Sequence, residues 1–306
     1  MRVVRGFTRV AVPWFFLASG FFLARHVGED GWYQSAVIKR MKSLLVPFFC
    51  WLIIYRLLDA TLHLAACVAG RDFGGGKYYG VLDEIIYLCG IHPLRLVPIV
   101  WFLRALFFLV LLSPLFCVRS RRVAFCLLSG FLVAYAWHEG CPHGKMWSFF
   151  EYFFPLRGLF WFFAGMMICR FGLDVPKSFV FTFAALVFGM VFLFLKTHAL
   201  FSGFSGGGVE VLMVMSLMYF VFKFSSVFRI PKAWADCAMP IYLMHAICII
   251  LLAGVCSFVH QKQFYHSSLL AFVLKLVLSV GFAVLAGRFL RRSFPRTHAV
   301  LLGGRG

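Results

Sequence analysis

Apolar residues run through this chain in nine continuous stretches, separated by short polar segments. Because apolar residues in these stretches do not alternate with polar ones at every second position, the pattern predicts helices and not the strands of a membrane barrel. About 20 apolar residues are needed to cross roughly 30 Å of hydrocarbon, and most of the stretches reach that length. The sequence therefore predicts an all-α, polytopic membrane bundle of about nine transmembrane helices, folded as a single integral-membrane domain over residues 1–306. The stretches lie near residues 10–25, 44–69, 97–117, 122–137, 149–169, 178–196, 207–226, 238–259 and 267–290.

The polar segments alternate between basic and nearly uncharged, which predicts the orientation of the chain. More than half of the 30 lysines and arginines fall in every second segment. Short loops rich in Lys and Arg remain in the cytoplasm, so these segments and the C-terminus are predicted to be cytoplasmic. The basic segments hold Arg25, Lys39, Arg40, Lys42, Arg119, Arg121, Arg122, Arg170, Lys177, Lys223, Arg229, Lys232 and the cations from Arg288 onward.

The bulk composition agrees with a membrane protein and argues against nucleic-acid binding. Hydrophobic residues make up 62% of the chain, charged residues 13%, and the mean hydropathy is +0.91. The net charge of +19 would also suit a nucleic-acid partner. The cations are instead spread over several loops on one predicted membrane face, where anionic lipid accounts for them. The predicted partner is therefore the lipid bilayer, with no nucleic acid, and the oligomeric state is not indicated.

Cysteine and histidine spacing predicts neither a disulfide framework nor a metal site. The ten cysteines include no Cys-x-x-Cys pair, and most lie in apolar stretches, where they behave as small buried residues. The segment His-Glu-Gly-Cys-Pro-His at 138–143 fits no zinc-ligand spacing and is interpreted as a polar loop. No metal or bound cofactor is expected.

The N-terminal charges conflict with a nine-helix topology. With the C-terminus inside, nine spans put the N-terminus outside, yet the first segment carries Arg2, Arg5 and Arg9. A cleaved signal peptide is one explanation, although Pro13 interrupts its apolar core and a good cleavage site before Arg25 is lacking. The favoured expectation is that one further helix precedes this sequence.

Four motifs occur in the order found in one family of membrane enzymes. They are Arg-x-x-x-Pro-x-Phe-Phe-x-x-Ser-Gly-Phe at 9–21, Lys-Arg-Met-Lys-Ser-Leu-Leu-Val-Pro-Phe-Phe-Cys-Trp at 39–51, Trp-Phe-Leu-Arg-Ala-Leu at 101–106 and Pro-Ile-Tyr-Leu-Met-His at 240–245. Together they resemble the membrane acyltransferase-3 family, which includes O-acetyltransferases of bacterial surface sugars. The resemblance covers nearly the whole chain and implies a ten-span fold of which this sequence holds all but the first span.

The resemblance implies an acyltransferase of the bacterial inner membrane that modifies polysaccharides or glycolipids. It would move an acyl group, most often acetyl, from the co-substrate acyl-CoA on the cytoplasmic side to a hydroxyl of a cell-surface sugar or glycolipid. Lys39, Arg40 and Lys42 are the implied binding residues for the CoA phosphates, unless they are ordinary positive-inside anchors.

The remaining candidates are polar or aromatic residues within or at the ends of apolar stretches. His245 and Arg157 are supporting candidates, because an ionisable group in a membrane span is costly and is a functional hypothesis by default. A neutral His bonded across helices is the alternative for His245. The substrate-site candidates are Arg9, Trp101, Arg104 and Tyr242, and the helix-packing candidates are Ser19 and Gly20. Snorkelling at span ends explains Arg9 and Arg104 equally, and an interfacial aromatic belt explains Trp101.

The sequence departs from the family pattern in two places. The family's first-span His, taken as the catalytic base, has no counterpart in these residues. The family's Arg-x-x-Arg is Lys39-x-x-Lys42 here, which keeps the charge but loses the bidentate fork for phosphate. A transporter or flippase-like protein that uses Arg157 and His245 in a polar pathway, and a catalytically inactive relative, remain as alternatives.

Overall fold

The fold is given by a computed structural model that describes part of the chain. The described residues are 11–68, 101–140, 156–172, 179–197, 211–219, 240–245, 247–248, 251–252 and 269–303, and a few side chains within these ranges, including that of Arg157, are not described. Arg9 lies outside the described residues.

Most of the described residues are helical and none of them belongs to a β-strand, which confirms the predicted all-α class. The helices are α1 Ala11–Ala24, α2 Trp32–Arg40, α3 Val46–Val68, α4 Trp101–Leu112, α5 Arg121–Gly140, α6 Leu156–Arg170, α7 Phe179–Thr197, α8 Leu269–Ser293 and α9 Pro295–Leu301. A π-helical turn, Met41–Leu45, joins α2 to α3, and a 3-10 turn, Ser113–Phe116, follows α4. Residues 211–219 and 240–245 are also helical.

Helix length and exposed apolar surface fit a bilayer environment. Among the described residues, Trp32–Leu62 and Val273–Ser293 are long and apolar enough to cross a membrane, while Val12–Ala24, Trp101–Phe116 and Gly158–Arg170 are shorter apolar helices. The 25 residues of α8 extend about 37 Å. Its outer face exposes large apolar side chains, which suits lipid and not water; they include Val273, Leu276, Val277, Leu285 and Phe289. The count of nine spans stays a prediction.

The chain falls into two compact units. The first comprises Met1–Ile38 and Ala105–Arg229, and the second comprises Lys39–Arg104 and Ile230–Gly306. The prediction of a single domain over 1–306 stays a prediction.

The first unit is built on a close crossing of α1 with α6, where two glycines bring backbones together. A methyl group added at Gly20 would lie 2.8 Å from the carbonyl carbon of Phe162, and one added at Gly165 would lie 2.9 Å from the amide nitrogen of Phe21. Without side chains at these positions, the helices approach to backbone contact, as small residues allow in membrane bundles.

An aromatic cluster joins α5 and α6 within the same unit. The ring centroids of Phe131 and Phe163 lie 5.5 Å apart, and Phe116 completes a three-ring group at 6.0 and 5.5 Å. One helical turn further along, Tyr135 lies 6.0 Å from Phe160. These edge-on and tilted geometries are the favourable ones for aromatic pairs.

Two polar segments proved more ordered than the sequence indicated. The segment after Arg25 was predicted as a polar gap, but α2 occupies half of it. None of the residues of α2 is buried, so it lacks the apolar stripe that would have revealed it. The segment 138–143 was interpreted as a polar loop, but α5 extends through Gly140 and His138 is 3% exposed. That interpretation is therefore wrong for His138, while 141–143 lie outside the described residues.

In the second unit, the C-terminal helix α9 packs against α3. The indole nitrogen of Trp51 donates a hydrogen bond to the carbonyl oxygen of Leu301 at 3.0 Å, and Trp51 is 2% exposed. Leu302 and His298 of the same C-terminal segment are also buried. Gly303 ends the segment with a φ of +70°, the left-handed conformation that commonly follows a helix.

Docking of the C-terminal segment is expected to weaken in acid. Burial, and secondarily the positive charge of Arg291, lower the pKa of His298 from its ordinary 6.5. The docked state therefore binds fewer protons than the undocked state, so docking is unaffected above pH 6.5 and weakens as the pH falls below it. Amide exchange of residues 295–303, corrected for intrinsic rates, should be severalfold faster near pH 5 than near pH 8, the range over which histidine titrates.

A His298→Gln variant provides the control for this pH response. The glutamine side chain is an amide that is not protonated in this pH range, so the acid-induced increase in exchange should be lost. Slower exchange in acid for the natural protein would contradict the assignment.

Candidate functional site

A basic turn at the start of α3 is the first part of the candidate site. Lys39 and Arg40 end α2, and Lys42 lies in the π-helical turn. Lys39 and Lys42 are exposed and Arg40 is half-buried, whereas the next two residues, Ser43 and Leu44, are buried at 8% and 1% exposure. One side of this turn is therefore packed and the other presents cations.

Pro47 accounts for the π-helical turn. Proline has no N–H, and its ring clashes with the carbonyl group four residues earlier, here that of Ser43. The helix accommodates it by widening: the amide of Val46 bonds to the carbonyl oxygen of Met41, five residues back. This single wide turn changes the angular spacing between Lys39 and Lys42 from that of a regular α-helix.

A polar and aromatic group deeper along α3 is the second part of the site. The hydroxyl of Tyr55 donates a hydrogen bond of 2.8 Å to the carbonyl oxygen of Leu243. Tyr55 is 1% exposed, and Leu243 is fully buried. Helical segment 240–245 is thus fastened to α3 by a buried side-chain bond.

His245 presents one defined nitrogen. Its Nδ1 lies 2.8 Å from the carbonyl oxygen of Ile241. A carbonyl oxygen can only accept, so Nδ1 carries the proton and the neutral ring has its lone pair on Nε2. The ring is 6.3 Å from that of Tyr242, which in turn lies 5.7 Å from Phe102. His245 can therefore accept a hydrogen bond from a hydroxyl group.

Helix α4 contacts segment 240–245 through Phe102 and Tyr242, and it also carries Trp101 and Arg104. Arg104 is 4% exposed, so snorkelling at a span end does not describe it. Trp101 is half-buried and contacts Phe102 edge-on at 6.4 Å. The second unit thus contains six of the predicted site residues and the supporting candidate His245. The six lie in the basic turn, on α4 and in segment 240–245; they are Lys39, Arg40, Lys42, Trp101, Arg104 and Tyr242.

The other candidates lie in the first unit or beyond the described residues. Gly20 is in the close crossing of α1 and α6, and Ser19 is half-buried beside it. Arg157 is the second residue of α6. Within the residues that the structure describes, no three His, Cys, Asp or Glu side chains are grouped to hold a metal ion.

The sequence did not single out Tyr55, Trp51 or His298. Trp51 and Tyr55 lie four residues apart, with rings 5.9 Å apart, and each uses its one polar atom to fasten another segment of the unit. Polar-tipped aromatics at helical spacing in an apolar stretch were the available signal, but such a pair is usually ordinary packing.

Comparison with known proteins matches most of the chain to one family. Residues 1–288 match the model of the acyltransferase-3 family, which is described as an acyltransferase domain. No curated protein and no solved structure matches the chain. The match includes the basic turn, α4 and segment 240–245, and it ends before α9 begins.

Proposed function

The chain belongs to the membrane-embedded acyltransferase-3 family, and from this we propose that it transfers an acyl group, foremost acetyl, from cytoplasmic acyl-CoA to a hydroxyl of a cell-surface sugar or glycolipid. In the transfer, the thioester C–S bond breaks and an ester C–O bond forms. The hydroxyl proton ends on the CoA sulfur. We further propose the bacterial inner membrane as its location, with the basic segments and the C-terminus in the cytoplasm.

One observation carries the proposal: the basic turn belongs to the same unit as His245 and its neighbours Tyr242 and Tyr55, and α3 connects the two sites. Thirteen residues separate Lys42 from Tyr55, which corresponds to about 20 Å at helical rise. Acyl-CoA has a matching arrangement, because its phosphates are at one end and its thioester is at the end of a long flexible arm. The phosphates would lie at Lys39, Arg40 and Lys42, and the thioester deeper, near segment 240–245.

The polar and aromatic residues of α4 and segment 240–245 supply functions that acyl transfer needs. A buried cation such as Arg104 stabilises negative charge that develops on the thioester oxygen. The Nε2 lone pair of His245 holds the acceptor hydroxyl, which is a supporting role. Trp101 and Tyr242 offer ring faces on which a sugar can stack, while Arg9 and Arg157 remain further candidates from the sequence.

The proposal is tested by supplying labelled acetyl-CoA to membranes that contain the chain in its native sequence context. Label should enter a glycan or glycolipid and be released by mild base, as an ester is. Membranes without the protein provide the background. Absence of covalent label, together with flux of an unmodified glycan across the vesicle, would favour a transporter instead.

Removing the Tyr55 hydroxyl is expected to slow transfer severalfold. Tyr55→Phe deletes the bond to Leu243, a loss of about 1 kcal/mol, and loosens the segment that carries His245. Tyr33→Phe is the matched control, since its hydroxyl donates a similar 3.0 Å bond to the carbonyl oxygen of Leu111 in the first unit. Equal turnover of the two variants would show that the Tyr55 bond has no bearing on the site.

A further inference from the structure

We infer that the C-terminal segment 295–303 is a positioning element of the acyl-donor site, which holds the π-helical turn so that Lys39, Arg40 and Lys42 keep a fixed spacing. The inference rests on the proposed function, because it assigns the turn to the phosphates of acyl-CoA. It concerns residues beyond the family match, which ends at residue 288.

The segment contacts the turn through Gly303. The backbone of Gly303 lies directly against Ser43: a methyl group added at Gly303 would be 2.6 Å from the Cα of Ser43 and 2.7 Å from its carbonyl carbon. Ser43 is the residue next to Lys42. It is also the residue whose carbonyl group loses its usual helical donor, because Pro47 has no N–H.

The segment is itself anchored to α3. Trp51, one helical turn beyond Pro47, donates to the carbonyl oxygen of Leu301 at 3.0 Å. The amide of Leu302 bonds to the carbonyl oxygen of His298 at 3.0 Å, and that of Gly303 to Val300 at 3.3 Å, which closes the helix end. The left-handed φ of +70° then brings Gly303 onto Ser43. Only glycine adopts this conformation without strain and also leaves room for the contact.

This anchoring also fixes the arrangement of the cations. The buried side of the turn, Ser43 and Leu44, is packed, while Lys39 and Lys42 are exposed on the other side. Pro47 imposes the wide turn, and the packed segment behind it holds the turn in one geometry, so the cations are arranged before the ligand arrives. Such preorganisation reduces the conformational entropy that the turn would otherwise lose when the ligand binds.

Three variants release the turn by different routes. Trp51→Phe removes the donor to Leu301 and keeps a ring, Gly303→Ala forces the backbones apart, and a stop after Ser293 removes the segment. Each is expected to raise the KM for acyl-CoA about tenfold, comparable to newly ordering one to three long side chains on binding, with kcat changed less than about twofold. Gly172→Ala is the matched control: Gly172 has a φ of +56° but no neighbour within 4 Å of an added methyl group.

Two further measurements separate positioning from general damage. Amide exchange at residues 41–46 should become faster in all three variants and stay unchanged in Gly172→Ala. In a background that already carries Lys39→Ala, Arg40→Ala and Lys42→Ala, the same three variants should give no further rise in KM, because they act through those cations.

The outcomes distinguish this inference from the proposed function. If the natural protein neither binds nor uses acyl-CoA, the proposed function fails and the donor-site role of the segment fails with it, whatever the exchange data show. If the natural protein uses acyl-CoA but the three variants lower kcat at unchanged KM, or leave exchange at 41–46 unaltered, the inference alone is overturned.

Discussion

Replacing Gly165 by alanine is expected to destabilise the first unit by about 1–3 kcal/mol, the usual cost of overpacking a tight contact. The added methyl group would lie 2.9 Å from both the carbonyl carbon of Leu17 and the amide nitrogen of Phe21. These are backbone atoms, so they cannot rotate away as a side chain would. The helices α1 and α6 must separate, which also disrupts the reciprocal contact of Gly20 with Phe162. The measurement is thermal unfolding of the purified protein in detergent, where a drop of several degrees is expected.

Gly130→Ala is the control for this prediction. Gly130 lies inside α5 of the same unit, and an added methyl group there meets nothing within 4 Å. Since alanine is favoured over glycine within a helix by roughly 1 kcal/mol, this variant should be neutral or slightly stabilising. If Gly165→Ala were as stable as Gly130→Ala, α1 and α6 would not be in backbone contact.

Removing the three cations of the basic turn is expected to raise the KM for acyl-CoA about 100-fold. Each of Lys39, Arg40 and Lys42 would lose a charge-assisted contact with a phosphate, worth about 1 kcal/mol after solvent screening. About 3 kcal/mol in total corresponds to roughly two factors of ten. The saturated rate should change little, because the phosphates are remote from the thioester. The measurement is the dependence of transfer on acyl-CoA concentration for the triple alanine variant.

Alanine at Arg119, Arg121 and Arg122 provides a control with the same change in charge. These arginines are exposed and belong to another basic segment on the predicted cytoplasmic side. Arg121 stacks on Phe125 at 5.6 Å, a local contact within α5. If this control raised KM as much as the triple variant at the basic turn, the effect would be a general loss of positive potential and not a site.

The helical class could be predicted from the sequence because it depends on composition and continuity. Each of the nine apolar stretches contains helical residues in the described part of the chain. Bounds agreed within a few residues for α1 and α3, where polar residues mark the ends. The helices α2 and α9 were not predicted, because a surface helix without an apolar stripe and a seven-residue helix give little periodic signal.

The sequence could not predict which helices pack against each other, because that depends on contacts between residues remote in the sequence. The sequence drew attention to Gly20 as a packing residue but could not identify Gly165 as part of the same crossing. Likewise, the motif at 39–51 was recognised as a unit, but nothing local indicated that Gly303 would lie on Ser43, 260 positions away. Tyr55 was missed because its hydroxyl finds its acceptor on segment 240–245.

The most direct test of the donor site is to cross-link a photoreactive acyl-CoA to the protein in sealed inside-out membrane vesicles. Mass spectrometry of the digested protein then locates the modified peptide. We expect cross-links from the cytoplasmic face, within the peptide that carries residues 39–55, and we expect unlabelled acyl-CoA to suppress them. Suppressible cross-links confined to other peptides, or formed when the probe is outside right-side-out vesicles, would contradict this expectation.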